Sequence, residues 1–389
     1  MIDRTGAARA PGVAPFSQDE LVRYARHLAL PQVGEEGQRR LRSARILVVG
    51  AGGLGSPVAL YLAAAGVGTI GLVDADRVDV TNLQRQILHG TSDVGRPKTA
   101  SARERLADLN PQVHLETVEE RLTSQNALAL VSRFDLVVDG SDNFPTRYLV
   151  NDACVLTGRP YVYGAIFRFD GQVSVFAHAQ GPCYRCLYRD PPPPELVPSC
   201  AEGGVLGALP GVIGSLQALE AMKLVLGRGD PLVGRLLLFD GFTGRFREIA
   251  VQRDPDCPAC GSQPTVRELI DYEAFCGASL SSMPPGSISA RGLADELQGA
   301  DRPRLLDVRE PFEWEICRLP DAELIPVVQL PSRLAELNGR SSLVVYCHTG
   351  ARSRRAMELL NAAGFAGVRH LEGGIDAWAR EIEPDMPRY

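Results

Sequence analysis

Arg45-Ile46-Leu47-Val48-Val49-Gly50-Ala51-Gly52-Gly53-Leu54-Gly55 sets the architecture of the first half of this chain. Its first five residues are a short apolar run rich in β-branched side chains, which reads as a buried parallel strand ending at Gly50. Residues 56–65 then carry a helical pattern. A strand, a glycine turn and a helix start bring backbone N–H groups and a positive helix end to one point, where phosphate oxygens are favoured. Alone, such a turn is only a tight connection in an α/β domain. A second apolar strand, residues 69–73, ends at Asp74, about 20 residues past the glycines, where dinucleotide folds place the carboxylate that accepts ribose hydroxyls. NAD and ATP fit this much equally well.

The residues downstream of Asp74 separate the two nucleotides. Asp76, then Thr81-Asn82-Leu83-Gln84-Arg85-Gln86, then Gly95-Arg96-Pro97-Lys98 place cations just behind the turn. A pyrophosphate on a helix N-terminus needs little added positive charge, whereas a triphosphate about to lose pyrophosphate gains from Arg and Lys. A helix over residues 95–109 puts Lys98 in its first turn. A strand over residues 134–138 runs into Asp139-Gly140-Ser141-Asp142-Asn143. Ligand crevices of open α/β sheets lie beyond the carboxyl ends of strands, so Asp142 shares a rim with Gly53 and Asp74.

GAGGLG, DADRVDVTNLQRQ, GRPK and DGSDN together resemble the MoeB/ThiF family, ubiquitin-activating-type enzymes that adenylate the C-terminal glycine of small sulfur-carrier proteins. The resemblance spans about residues 17–262. It implies that Gly53, Asp74 and the segment Thr81, Asn82, Leu83, Gln84 line an ATP site, that Arg85 and Lys98 handle its phosphates, and that Asp142 holds Mg²⁺ with Asn143 beside it. It also implies a homodimer through this domain. Residues 18–30 have a helical look, and Arg26 matches a family arginine that reaches the neighbouring subunit's nucleotide; a solvated surface arginine is the plainer reading.

At 389 residues, with 45% hydrophobic and 23% charged residues, the chain has the composition of a two- or three-domain globular protein. Its formal charge of −6 argues against a nucleic-acid surface. Residues 1–16 are rich in Ala, Gly, Pro and Arg without the apolar centre of a signal peptide, and read as a disordered arm. The apolar stretches 57–73 and 203–227 are interrupted by glycines, or by Pro210, Gln217, Glu220 and Lys223, so core is expected there and no membrane span. A cytoplasmic location is therefore expected.

Nine cysteines in a reducing compartment point to metal or sulfur chemistry before disulfides. Cys183-Tyr184-Arg185-Cys186 and Cys257-Pro258-Ala259-Cys260 are two C-x-x-C pairs, the four thiolates of a closed structural Zn²⁺ site, with a redox pair as the competing reading. Between them four prolines lead to Cys200 in a segment read as a mobile loop. In related enzymes a cysteine here can attack the adenylated carrier or resolve a sulfur intermediate; others do without it, and an unpaired cysteine is often a small core residue.

Residues 263–283 read as a linker, with a helical patch at 266–275. Beyond it a smaller α/β pattern begins. A strand over residues 342–346 delivers Cys347, followed by His348-Thr349-Gly350-Ala351-Arg352-Ser353 and a helix over 354–363. Loop N–H groups and a helix N-terminus around a sulfur stabilise a thiolate or persulfide anion. LLDVREPFEWE, CHTGARS and LEGGIDAW resemble a rhodanese domain over about residues 284–389, which implies Cys347 as persulfide carrier, with Arg352 and Ser353 completing the loop and Asp307 and Arg309 bracing it. A cysteine phosphatase is the runner-up; its signature places five residues between cysteine and arginine, against four here. Cys154, Cys276 and Cys317 lack a motif and read as structural.

The expected fold is therefore α/β: a Rossmann-like adenylation domain with a mixed sheet and a four-cysteine zinc site, then a small rhodanese domain. The expected activity is ATP-dependent adenylation of a ubiquitin-like carrier ending in Gly-Gly, then sulfur delivery from a Cys347 persulfide loaded by a cysteine desulfurase or thiosulfate. Molybdopterin, thiamine, cysteine and tRNA thiolation pathways all use such carriers. Two alternatives stand beside it: an NAD-dependent oxidoreductase with a fused sulfur domain, and a binding module whose sites have decayed.

Overall fold

The computed structural model describes residues 15–179, 181–192, 204–277, 286–299, 301–337 and 342–389. They form two compact units: the first takes the described residues up to Pro191 and Gly204–Tyr272, the second Pro192 and those from Glu273 to Tyr389.

The first unit is built on eight strands: β1 (Arg45–Val49), β2 (Thr69–Val73), β3 (His114–Val118), β4 (Leu136–Asp139), β5 (Tyr161–Phe167), β6 (Asp170–Phe176), β7 (Arg235–Asp240) and β8 (Arg245–Ala250). Their order in the sheet is β3-β2-β1-β4-β5-β6-β7-β8. The first five run parallel, and β5 to β8 are antiparallel neighbours. Burial follows this change: every residue of β2 is buried, as the doubly covered parallel half requires, whereas β8 is exposed along its length. The order reverses beside β1, where β2 and β3 lie to one side and β4 onward to the other. A crevice at the carboxyl ends of β1 and β4 is the geometric result.

The helices Gly55–Ala64 and Ala208–Leu226 supply much of the core, with Val58, Leu62, Leu209, Ile213, Ala218 and Ala221 buried among Ile46, Val48, Val138 and Val173. Among the described residues Ala208–Leu226 is the one helix long and apolar enough to cross a membrane; Gln217 on it donates to Asp139 O at 2.7 Å, so it is bound into the sheet.

Three local expectations shift. The helix expected over 18–30 divides into Gln18–Arg23 and Ala25–Leu28, because Tyr24 turns inward and its hydroxyl accepts from Asn110 Nδ2 at 2.9 Å. The helix expected from residue 95 begins at Lys98, behind Pro97 in an extended cap. Of the patch at 266–275 only the turn Tyr272–Phe275 is helical. Residues 1–14 of the expected arm, 278–283 of the linker, and Cys200 lie outside the described residues; Phe16 sits under Arg42, whose guanidinium is 4.4 Å from its ring centre.

The second unit holds β9 (Ser287–Ile288), β10 (Arg304–Asp307), β11 (Ala322–Leu324), β12 (Leu343–Tyr346) and β13 (Val368–Leu371), all parallel, in the order β11-β10-β12-β13-β9. Side chains alternate across β12: Val344 and Tyr346 enter one core with Leu305, Leu371 and Trp378, while Val345 and Cys347 enter the other with Leu306, Met357 and Leu360. A central strand covered on both faces thus ends in the cysteine.

Candidate active sites

In the first unit the turn after β1 is steric in origin. A Cβ on Gly55 would lie 1.8 Å from the Gly50 carbonyl oxygen, so the helix can start this close to the strand only without one. Asp74, at the end of β2, accepts from the Ala51 N–H at 2.8 Å and from the Asp76 N–H at 2.7 Å, which fixes its carboxylate against the turn. Thr81 and Asn82 lie in a short 3₁₀ turn capped by Asp79, with Leu83 and Gln84 next in the chain. The Gln84 backbone runs against Gly207, at the foot of Ala208–Leu226. Arg85 donates to Thr81 O at 3.2 Å, and its Cγ lies 3.6 Å from where a Gly53 Cβ would stand. Lys98 is 5% exposed, and its ammonium pairs with Asp76 Oδ2 at 2.9 Å.

The structure therefore brings Gly53, Asp74, Asn82, Arg85 and Lys98 round one turn. Asp142 lies exposed past β4, and Asn143 caps the helix Phe144–Thr157 by accepting from Thr146 N. Arg26 is exposed on Ala25–Leu28.

Sequence reasoning missed four groups here. His89 bridges Ala51 O at 3.0 Å and Ser101 Oγ at 2.9 Å, pinning the glycine turn to the helix Lys98–Leu109; burial lowers its pKa and keeps the ring neutral. Gln86 donates to Asn82 Oδ1 at 2.7 Å and so orients it. Asp139, at the end of β4, and Arg147, on the helix Phe144–Thr157, are buried, each with one polar atom lacking a partner among the described residues. Gln86 and Asp139 lie inside the motif stretches, which could have pointed to them; a lone histidine or arginine carries no periodicity or spacing, so no sequence signal pointed to His89 or Arg147.

The four motif cysteines converge. Cys183 and Cys257 sulfurs are 3.5 Å apart, Cys186 and Cys260 are 3.4 Å apart, and all four sulfurs lie within 4.8 Å of one another. Tetrahedral zinc at about 2.3 Å from each sulfur spaces thiolates by roughly 3.8 Å, so the donor set fits one such ion. The Asp254 N–H points at Cys186 Sγ, 3.4 Å away, as a second layer of support. Arg185, inside the first knuckle, forms a fully buried pair with Asp152 at 2.7 Å, and Tyr272 donates to the same carboxylate at 2.8 Å.

In the second unit Cys347 follows β12 and is fully buried. Its sulfur accepts from the Gly350 N–H at 3.1 Å, at the start of the helix Ala351–Ala362. The Cys347 and His348 carbonyls accept from Ile375 N at 2.9 Å and Asp376 N at 3.1 Å, the first turn of the helix Gly374–Glu381. Asp307 and Arg309 form a fully buried pair, and Arg309 also donates to Cys317 O at 2.7 Å. Ser353 is buried and donates to Gly350 O. Arg352 lies in the first turn of the helix Ala351–Ala362, and both its terminal nitrogens are taken by Glu313 at 2.6 and 2.7 Å, because the helix Pro311–Ile316 presents that carboxylate beside it. Burial alone would raise the Glu313 pKa, but Arg352, the Glu310 N–H and the Tyr389 hydroxyl outweigh it and hold the carboxyl down at about 2.

Fold and sites together define a nucleotide-binding mixed-sheet enzyme joined to a small cysteine-centred parallel-sheet domain. The chain belongs to the ThiF family, whose model matches residues 24–259, and it carries a rhodanese-like domain matching residues 290–381. It is an enzyme of the adenylyltransferase and sulfurtransferase class. It is 48% identical over 384 residues to the probable adenylyltransferase/sulfurtransferase MoeZ of Mycobacterium tuberculosis, covering 96% of each chain. It is 60% identical over 267 residues to the sulfur carrier protein adenylyltransferase of Thermus thermophilus, covering 67% of this chain and 98% of that one. The adenylyltransferase and sulfurtransferase MOCS3 of Sus scrofa is 46% identical over 408 residues, with 97% and 90% covered. Among solved structures, E. coli MccB with MccA-N7isoASN shares the fold at a TM-score of 0.55 and 23% identity, over 62% of this chain and 75% of that one. Nothing in these relatives supports the nicotinamide alternative.

Proposed function

We propose that the first unit adenylates the C-terminal glycine of a small ubiquitin-like sulfur-carrier protein and that Cys347 then supplies the sulfur. The observation that carries this reading is the joining in one chain of a cation-lined glycine turn and a cysteine whose sulfur receives a loop N–H at the start of a helix. The names of the full-length relatives, which pair the same two activities, support it.

A carboxylate resists attack by sulfur, so the first step forms an acyl adenylate from the carrier and ATP, with pyrophosphate leaving. Asp74 holds the ribose, Asn82 the phosphates, and Arg85 with Lys98 offsets charge on the departing pyrophosphate. Lys98 has to exchange Asp76 for phosphate to do so, and exposed Asp76 returns to water when it does. The exposed Asp142 carboxylate suits a hard divalent cation, and Mg²⁺ there would supply charge neutralisation on the phosphates. The four cysteines would hold Zn²⁺ in a structural role, with no position left for substrate.

The Cys347 persulfide attacks the acyl carbon, forming an acyl disulfide and releasing AMP. A second thiolate, for which Cys200 is the candidate, attacks the sulfur of Cys347 in that linkage. The carrier leaves as a thiocarboxylate, the two cysteine sulfurs form a disulfide, and an external thiol reductant restores both. In our reading the persulfide comes from a cysteine desulfurase or thiosulfate, the enzyme is a cytoplasmic homodimer, and Arg26 reaches across to the partner's nucleotide. The domain limits are 17–262 and 284–389, and the served carrier belongs to molybdopterin, thiamine, cysteine or tRNA thiolation.

Incubating the enzyme with candidate carriers ending in Gly-Gly, ATP, Mg²⁺, thiosulfate and a dithiol reductant, then weighing the carriers, tests the reading. A gain corresponding to oxygen replaced by sulfur on at least one carrier is expected. Carriers returned unchanged across the set, with the enzyme folded, overturn it.

A further inference from the structure

Two buried polar atoms in the segment that follows Cys347 lack a hydrogen-bond partner among the described residues: His348 Nδ1 and Arg352 Nε. Such atoms are destabilising unless a ligand or water meets them, so a pair of them on the segment that follows a reactive cysteine marks a place built for something polar. Both side chains are held by one residue. The Tyr389 ring stacks on the His348 imidazole, with centres 4.3 Å apart and planes 12° from parallel. Its hydroxyl accepts from Arg309 Nη1 at 2.7 Å and donates to Glu313 Oε1 at 2.8 Å, and Glu313 holds Arg352 through both terminal nitrogens.

The segment that carries Tyr389 is itself anchored. Met386 is buried in the core with Trp378, and Arg388 pairs with Asp376 at 2.9 Å. Asp376 is also the residue whose N–H meets the His348 carbonyl. Burial pushes the Tyr389 phenol up, so it stays protonated and keeps its donor role. Glu313 in turn has its orientation set from three sides: the Arg352 fork, the Glu310 N–H at 2.9 Å and the phenol.

We propose that Tyr389 is a positioning residue of the Cys347 site: it holds His348 by stacking and Arg352 through Glu313, so that the unpartnered nitrogens of both can receive the oxygens of an anionic sulfur donor. The inference rests on the reading of Cys347 as the sulfur carrier. With thiosulfate as donor, the Cys347 thiolate takes the outer sulfur, forming a Cys347 persulfide and releasing sulfite. The sulfonate oxygens are the groups the two nitrogens would meet.

The test is steady-state sulfur transfer from thiosulfate to cyanide by the full-length chain, with thermal melting as the fold control. Tyr389→Phe keeps the stack and loses the hydroxyl; its KM for thiosulfate is expected to rise about fivefold, the size of one lost hydrogen bond, with kcat nearly unchanged. Tyr389→Ala also frees His348 and is expected to raise KM about 20-fold or more. A purely structural brace leaves KM untouched and lowers kcat only with the folded fraction. That result, or wild-type KM in both variants, overturns the proposal. Cys347→Ser separates the two readings: transfer surviving in it sinks the sulfur-carrier assignment, while its loss together with wild-type KM in the tyrosine variants sinks only the role of Tyr389.

Discussion

Glu313 shows how a single carboxylate carries both charge and position. Its pKa of about 2 lies below the ordinary value, so the stabilisation it provides is fully present above about pH 4.5 and is lost as the pH falls toward 2. Both tryptophans, Trp314 and Trp378, lie in the second unit, so their fluorescence follows this unit alone. In urea titrations, the advantage of wild type over Glu313→Gln is expected to be flat from pH 7 to about pH 5 and then to shrink. A constant advantage down to about pH 2.5 would mean that the ion pair contributes nothing through its charge. The same residue shows a limit of sequence reading. Arg352 was legible from CHTGARS, but its capture by Glu313, 39 positions away, depends on the first turns of two helices meeting in space.

At the level of elements, strands and their closing turns were the most legible part. The runs ending at Gly50, Asp74, Asp139 and Cys347 are all strand ends in the structure, because short β-branched runs buried on both faces leave few other options. Helix boundaries were less so, since Tyr24 and Pro97 act through side-chain burial and a missing N–H. The cysteine knuckles were legible by spacing, yet the ion pair behind them was not: Arg185 sits inside the first knuckle, and its partner Asp152 lies on another helix. For the knuckles we expect about one zinc per chain by elemental analysis, and loss of that metal with a lower melting temperature in Cys257→Ser. Metal-free protein with an unchanged melt would favour a redox pair.

At the scale of the whole molecule, two partial reactions share one chain, and they should separate by mutation. Cys347→Ala is expected to keep carrier-dependent ATP–pyrophosphate exchange and to lose sulfur transfer. Arg85→Ala is expected to keep sulfur transfer from thiosulfate to cyanide and to lower the exchange about 100-fold, the usual effect of removing one charge-stabilising group. Simultaneous loss of both activities in either variant, with the fold intact, would contradict this division. The pairing of a glycine-turn sheet with a cysteine-loop sheet was readable from the sequence, since each has its own dense motif. The interior supports His89 and Tyr389 were not, because each works through a neighbour distant in sequence.

The contact between Gly55 and the Gly50 carbonyl also limits how this pocket can evolve. Every other side chain begins with the carbon atom that this gap cannot admit. Single codon changes at position 55 are therefore closed as a route to a new nucleotide preference, and a lineage altering it would have to lengthen or shorten the connection instead.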